Sequence, residues 1–376
     1  MIHTEKAAEN LKEIKCNDDV CENKRKNYNS FDLAKFICSI LVVIIHVPPF
    51  GKQESTNIFS YLNFVLQSGL CRMAVPLFFV FSGFFLYKKT PLDKFSMQPT
   101  KKYLTHILQI YVIWSLVYLP LSTIVIMRNS KDVLYGLIKY IRNFFLIGSY
   151  VHLWYLNALI IAVIIVSFLL YKNVSPKKIL YISLVFYGFG LLGDGYFGII
   201  SPLLNLPVIG EIIRLYFKIF VYTRNGLFFA FFFVSLGMIL SNENKLLSAK
   251  KALFLFLVSL LMMCTESMLL KTFNIAKDFN ILLFAIPSTI FCFMFLESLN
   301  LKDRKIYKSL RVLSSLIFFG HLWVDNIVWK CLSLLNENLY YTPIRFIATL
   351  SLTIIIAWIV MNISERKMFH WLKKMY

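Results

Sequence analysis

Ten apolar runs, separated by short polar segments, constrain this chain more than any other feature. They lie near residues 31–50, 70–88, 104–127, 152–171, 178–195, 226–241, 251–270, 279–298, 312–332 and 343–363. About twenty apolar residues is the length at which an α-helix crosses the hydrocarbon of a bilayer. In lipid the backbone must satisfy its hydrogen bonds internally, and a helix does so within one segment. The sequence therefore predicts an all-α fold, a polytopic transmembrane helical bundle of about ten spans. Composition agrees: 58% of residues are hydrophobic and 16% charged, against about 25% charged in soluble domains. The mean hydropathy is +0.66, so the lipid bilayer is the solvent that fits this chain.

The net charge is +20, which could suggest nucleic acid. The basic residues are not gathered on one patch, however, and no nucleic-acid partner is expected. They fall in clusters between the apolar runs, which is a topology signal. With the N-terminus inside, the inner segments hold 26 Lys and Arg residues and the outer segments 13, while Lys35 lies inside the first span. That bias predicts a multi-pass protein of the bacterial cytoplasmic (inner) membrane with N- and C-termini cytoplasmic. Three regions follow: a polar tail over 1–29, a transmembrane domain over 30–365 and a short basic tail over 366–376. The first thirty residues are polar throughout and lack the apolar core of a signal peptide. The fifth run is the weakest, because GFGLLGDGYFG carries several glycines and Asp194. The stretch GEIIRLYFKIFVY is amphipathic and is expected to lie at the membrane interface, as is 132–147. Seven scattered cysteines, including Cys16 and Cys21 in the tail, show no zinc spacing. The reading is no disulfide and no structural metal.

Polar groups in lipid cost free energy, roughly 2.5–3.5 kcal/mol for a central charge. In the first span, FDLAKFICSILVVIIHVPPF, Lys35 and His46 are eleven residues apart. They project to the same side, about 16 Å apart along the axis. One reading is a cationic anchor and a proton-transfer group at two ends of a channel. The other is a lysine that snorkels to headgroups and a histidine that only packs. Arg72 opens the second span, either as a contact for an acyl oxygen or anion or as an interfacial anchor. In VHLWYLNAL, His152, Trp154 and Tyr155 fit an outer aromatic belt, and Asn157 needs a helix partner. Arg224 and Asn225 precede Gly226 at an outer edge, where anchoring and turn chemistry explain them equally well. His321 and Asp325 are spaced i,i+4, so the carboxylate can orient the imidazole; alternatively both face water. His46, Arg72, His152, Arg224 and His321 all fall toward the outer side, and one polar cavity there would satisfy them all.

These residues resemble the acyltransferase family 3 membrane proteins, which O-acylate cell-surface and other glycans. The resemblance covers roughly residues 30–365. It rests on Lys35-x10-His46, on Arg72 with VPLFFVFSG, and on His152-Leu153-Trp154. Within the family the chain looks most similar to the membrane domain of vancomycin-resistance serine racemases, through DLAKFICSILVVIIHVPPF, RMAVPLFFVFSG and TRNGLFF. It ends at Tyr376 with no racemase domain, so the resemblance does not imply racemisation by pyridoxal phosphate. It does imply transfer of an acyl group, usually acetyl, from cytoplasmic acyl-CoA to a hydroxyl or amine. No bound cofactor is expected, and acyl-CoA (acetyl-CoA) is a co-substrate. Carried over by position, His46 is the catalytic imidazole and Lys35 its basic partner near the donor. Arg72, His152, Trp154, Arg224, Asn225 and His321 are candidates for substrate or donor binding.

An imidazole is suited to this work as a general base near neutral pH or as a covalent acyl carrier. A lysine suits a phosphate-bearing donor as a point charge. The leading expectation is a membrane acyltransferase acting on a cell-envelope glycan or a related small hydroxyl-bearing acceptor. The runner-up is a transport or binding protein for a small polar molecule such as serine. A third is a catalytically dead structural homologue, against which the retained Lys35, His46 and Arg72 argue mildly.

Overall fold

A computed structural model describes residues 28–50, 57–88, 90, 95–129, 133–242, 247–336 and 343–376. The polar segment 1–27, with Cys16, Cys21 and the Lys24-Arg25-Lys26 run, lies outside the described residues. Among those residues there is no β-strand. The helices are α1 Asn29–His46, α2 Ile58–Ser68, α3 Ala74–Tyr87, α4 Met97–Asn129, α5 Val133–Leu146, α6 Trp154–Tyr171 and α7 Pro176–Leu192. They continue with α8 Pro207–Phe220, α9 Gly226–Leu240, α10 Ala249–Thr272, α11 Ala285–Ser298, α12 Lys305–Leu335 and α13 Pro343–Ser364.

Each of the ten apolar runs coincides with one of these helices, and the architecture is an all-α polytopic bundle. Among the described residues, seven helices are long and apolar enough to cross a membrane. An eighth joins them if α7 and the short turns after it count as one span, bent by 80°. The apolar helices α9 and α11 are shorter. The bend falls at the Gly- and Asp-bearing stretch that made the fifth run weak. The amphipathic stretch forms α8, and α5 occupies the other segment expected at the interface. Helix α2 was not foreseen. Asn57 caps it by accepting a hydrogen bond from Phe59 N at 3.1 Å, and a break at Gly69 turns the chain into α3. In the basic tail, Lys367–Met375 forms a 3₁₀ helix. It packs onto the bundle, where the Met375 carbonyl accepts from Trp114 Nε1 at 2.9 Å.

The core is built where α3 crosses α9. Here small residues let backbones approach, the device membrane bundles use in place of hydrophobic burial. A Cβ at Gly83 would stand 2.3 Å from the Val234 carbonyl oxygen, and one at Gly237 would stand 2.2 Å from that of Val80. Phe79, Phe81, Phe84, Phe229, Phe231 and Phe233 are fully buried around this crossing. The contact is backbone against backbone, so no rotamer change relieves it. Gly237→Ala is expected to force the helices apart at a cost of about 1–3 kcal/mol, read as a lower thermal midpoint in detergent. Gly188→Ala, where a new Cβ meets nothing within 4 Å, is the control and should leave the midpoint unchanged.

Two further contacts position the functional residues. Helix α12 runs along α1 and α13. Near its start Arg311 is held by Asp32 of α1, through Nε to Oδ1 at 2.8 Å and Nη2 to Oδ2 at 2.6 Å. Nearer its end, Asp325 is held by Arg345 of α13 at 2.8 and 2.7 Å. These two bidentate pairs fix the register of α12 against its neighbours.

Candidate functional site

Helix α1 ends at His46, and this places its imidazole against α12. The rings of His46 and His321 have centroids 5.3 Å apart. His152, in the turn before α6, stands 5.4 Å from His321 on the other side. Three imidazoles from three distant stretches therefore meet in one cluster. His152 and His321 are almost fully enclosed, at 1% and 0% exposure, while His46 is partly exposed. Burial of His152 and Tyr155 rules out the aromatic belt that VHLWYLNAL suggested. These side chains face the bundle.

The tautomers of the two buried rings follow from their partners. A backbone carbonyl can only accept, so His321 carries its proton on Nδ1, which faces the carbonyls of Phe318 at 2.8 Å and Ile317 at 3.2 Å. His321 Nε2 is then an unprotonated acceptor, buried and without a partner. His152 Nε2 donates to the Phe319 carbonyl at 3.2 Å, and its Nδ1 is likewise buried and unpartnered. Both rings thus keep a free lone pair inside the cluster. Asp325 does not orient His321, although the i,i+4 spacing allowed it. Its carboxylate is taken by Arg345 and by Thr349 Oγ1 at 3.3 Å. Nor do the pair face water, since Asp325 is 6% exposed.

Arg72 and Arg224 form a second cluster. Each donates from Nη1 to Asn280 Oδ1, at 2.6 and 2.7 Å. Asn280 is in turn held by Asp194, whose Oδ1 accepts the backbone N–H groups of Asn280 at 2.8 Å and Ile281 at 3.0 Å. Asp194 Oδ2 faces Asn280 Nδ2 at 3.2 Å. Arg224 also lies over the rings of Trp154 at 5.2 Å and Tyr222 at 4.9 Å. Trp154 is two residues from His152, and its contact with Arg224 brings the two clusters near each other. Asn225 is spent on structure. Its Oδ1 accepts from Leu227 N and Phe228 N, both at 3.0 Å, capping α9. Asn157 finds the partners it needed in the carbonyls of Phe144 at 3.2 Å and Phe145 at 2.8 Å.

Lys35 lies apart from both clusters, on the wall of a cavity of about 410 Å³. Its ammonium sits over Phe85 at 4.7 Å and Phe81 at 5.7 Å. Along α12 the lining runs from Arg311 to Phe319, about 12 Å at the helical rise. Lys35 and Arg311 mark one end. Phe318, Phe319 and Tyr155 close the other, and the Phe318 ring packs on His152 with centroids 5.9 Å apart. The cavity thus points from a cationic end toward the aromatic wall that backs the imidazole cluster. None of the five outer-side candidates lines it. They gather in two joined clusters beyond it rather than in one cavity. Among the described residues no group of three His, Cys, Asp or Glu has metal-binding geometry.

The sequence reading singled out neither Asn280, which joins the two arginines, nor the carbonyl of Phe319, which fixes His152. Asn280 sits in an ordinary-looking loop before α11, and a backbone carbonyl leaves no sequence trace. Asp194 did leave a signal, as a carboxylate in an apolar run, but it read as a weakness of the span.

The family model described as an acyltransferase domain matches residues 28–362. Curated relatives include an amino-acid racemase of Enterococcus faecalis, 31% identical over 90% of this chain and 46% of that protein. A serine/alanine racemase of Enterococcus gallinarum is 27% identical over 88% of this chain and 45% of that protein. The chain thus spans less than half the length of these relatives. No solved structure matches it.

Proposed function

This chain belongs to the acyltransferase domain family, and on that premise we propose that it moves an acyl group, acetyl in the simplest case, from acyl-CoA to a hydroxyl or amine of a cell-envelope glycan or related acceptor. The observation that carries this reading is the imidazole cluster behind the aromatic wall that closes the far end of a cavity beginning at Lys35. The donor enters from the cytoplasmic side, its phosphates near Lys35 and the exposed Arg311, its thioester directed along the cavity. His46 accepts the proton of the acceptor hydroxyl as that oxygen attacks the thioester carbonyl. The carbon–sulfur bond then breaks, and the CoA thiolate takes up a proton as it leaves. His321 Nε2, a lone pair with no other use, is placed to share the proton that His46 gains. The inner-membrane location with both termini cytoplasmic belongs to the same proposal and follows from the charge bias.

The test is transfer of radiolabel from acetyl-CoA in proteoliposomes supplied with envelope material. Label is expected to move into the acceptor. Lys35→Ala is expected to raise the KM for acetyl-CoA about ten- to a hundredfold, the scale of one lost charge-assisted contact. An unchanged KM would remove Lys35 from the donor site. The relatives are amino-acid racemases, and a second reading is a transport or binding protein for a small polar molecule such as serine. Saturable serine binding with no consumption of acetyl-CoA would decide for it.

A further inference from the structure

The Arg72–Arg224 pair is a charge arrangement that the bundle itself does not complete. Two guanidinium groups, which stay charged in proteins, direct Nη1 at one neutral atom, Asn280 Oδ1. Neither arginine makes an ion pair among the described residues. The Nε of each is buried and has no hydrogen-bond partner among the described residues. Asp194 is occupied by the amides of Asn280 and Ile281, and Asp278 Oδ1 accepts from Phe279 N at 2.8 Å. Among the described residues, no carboxylate oxygen bonds either guanidinium. Arg311 and Arg345 show the contrast, since each holds an aspartate with two hydrogen bonds.

Two planar forks that share one amide oxygen are matched to an oxyanion, which offers several acceptor lone pairs and a full charge. Arg224 rests against the rings of both Trp154 and Tyr222, which limits the conformational freedom lost on binding. We propose that Arg72 and Arg224 form a clamp for an anionic oxygen group, a carboxylate or a phosphate, so that the compound handled at this site is an acid. On the acyltransferase reading, on which this identification of the ligand as the acceptor rests, the acceptor bears an acidic group close to the hydroxyl or amine that is acylated. Arg224 lies over Trp154, two residues from His152, so an acid held by the clamp has its nucleophile near the imidazole cluster.

The test is binding to purified protein in nanodiscs without acyl-CoA, using two matched pairs of probes. N-acetylmuramic acid and N-acetylglucosamine differ by a carboxylate-bearing group. Glycerol 3-phosphate and glycerol differ by a phosphate. At least one acid should bind saturably, with its neutral partner weaker by about ten- to a hundredfold. The pair that discriminates tells carboxylate from phosphate. Arg224→Gln and, separately, Arg72→Lys should erase the preference while keeping a folded size-exclusion peak. Arg214→Gln, which alters an exposed charge paired with Glu211, should keep it. Equal binding of acid and neutral probes, no saturable binding of either acid, or a preference that survives in a folded clamp variant would overturn the proposal. Acid binding without any acyl transfer would keep the clamp and remove the acyltransferase reading. Equal acylation of acidic and neutral acceptors would do the reverse.

Discussion

His46→Ala should leave about 1% or less of the wild-type rate of acyl transfer from acetyl-CoA, measured in proteoliposomes at saturating donor. General acid–base catalysis by a positioned side chain is worth about 10²–10⁴-fold, or roughly 3–5.5 kcal/mol of barrier. Neither buried ring is placed to substitute. His321 and His152 keep free lone pairs, but at 0% and 1% exposure neither ring reaches an acceptor hydroxyl. His46 alone of the three is partly exposed and can meet an incoming hydroxyl. The same variant should bind acetyl-CoA as the wild type does, because the cavity wall carries Lys35 and Arg311 and not His46. A His46→Ala protein that retains more than a tenth of the rate would show that another group takes the proton. His46→Gln adds a useful distinction. It keeps a polar side chain of similar reach, so a binding or transport site should tolerate it in part. A general base should not.

For stability, the largest loss is expected from Asp325→Ala. Asp325 is buried, and its carboxylate accepts from Arg345 in a two-pronged pair and from Thr349. Removal strands the Arg345 guanidinium, which is itself only 24% exposed, at a helix contact. Breaking a buried pair from one side costs about 3–5 kcal/mol, while replacing both partners by packed apolar residues is close to neutral. Asp325→Ala should therefore lower the thermal midpoint in detergent sharply. The double variant Asp325→Leu, Arg345→Met should recover most of the loss. A single variant that melts with the wild type would show that the pair does not hold α12 to α13. Displacement of α12 would also carry His321 away from His46, so the single variant should lose acyl transfer in proportion to its loss of folded protein.

Much of the framework was legible along the chain because each span is a local matter. Twenty apolar residues in lipid form a helix from their own backbone hydrogen bonds, whatever their neighbours. The ten runs therefore coincide with helices, and the broken α7 was visible as glycines around Asp194. The amphipathic helices α5 and α8 were legible for the same reason, since amphipathicity is a local pattern. Helix α2 was missed because its residues merge into the apolar run that follows, and only the break at Gly69 separates them.

The sequence by itself determined the all-α class, the helices and the intramembrane polar residues that ask for a partner. It did not determine who the partners are. The i,i+4 spacing of His321 and Asp325 pointed to a bond within one helix. The tertiary fold gave the carboxylate to Arg345, twenty residues away on another helix, because a guanidinium fork satisfies both oxygens at once and an imidazole satisfies one. The meeting of His46 with His152 and His321, and of Arg72 with Arg224 on Asn280, was likewise decided only by how the helices pack. A polar group in lipid must be satisfied, and that requirement is written in the residue. Which distant residue satisfies it depends on crossing contacts such as Gly83 on Val234 and Gly237 on Val80, which no single segment encodes.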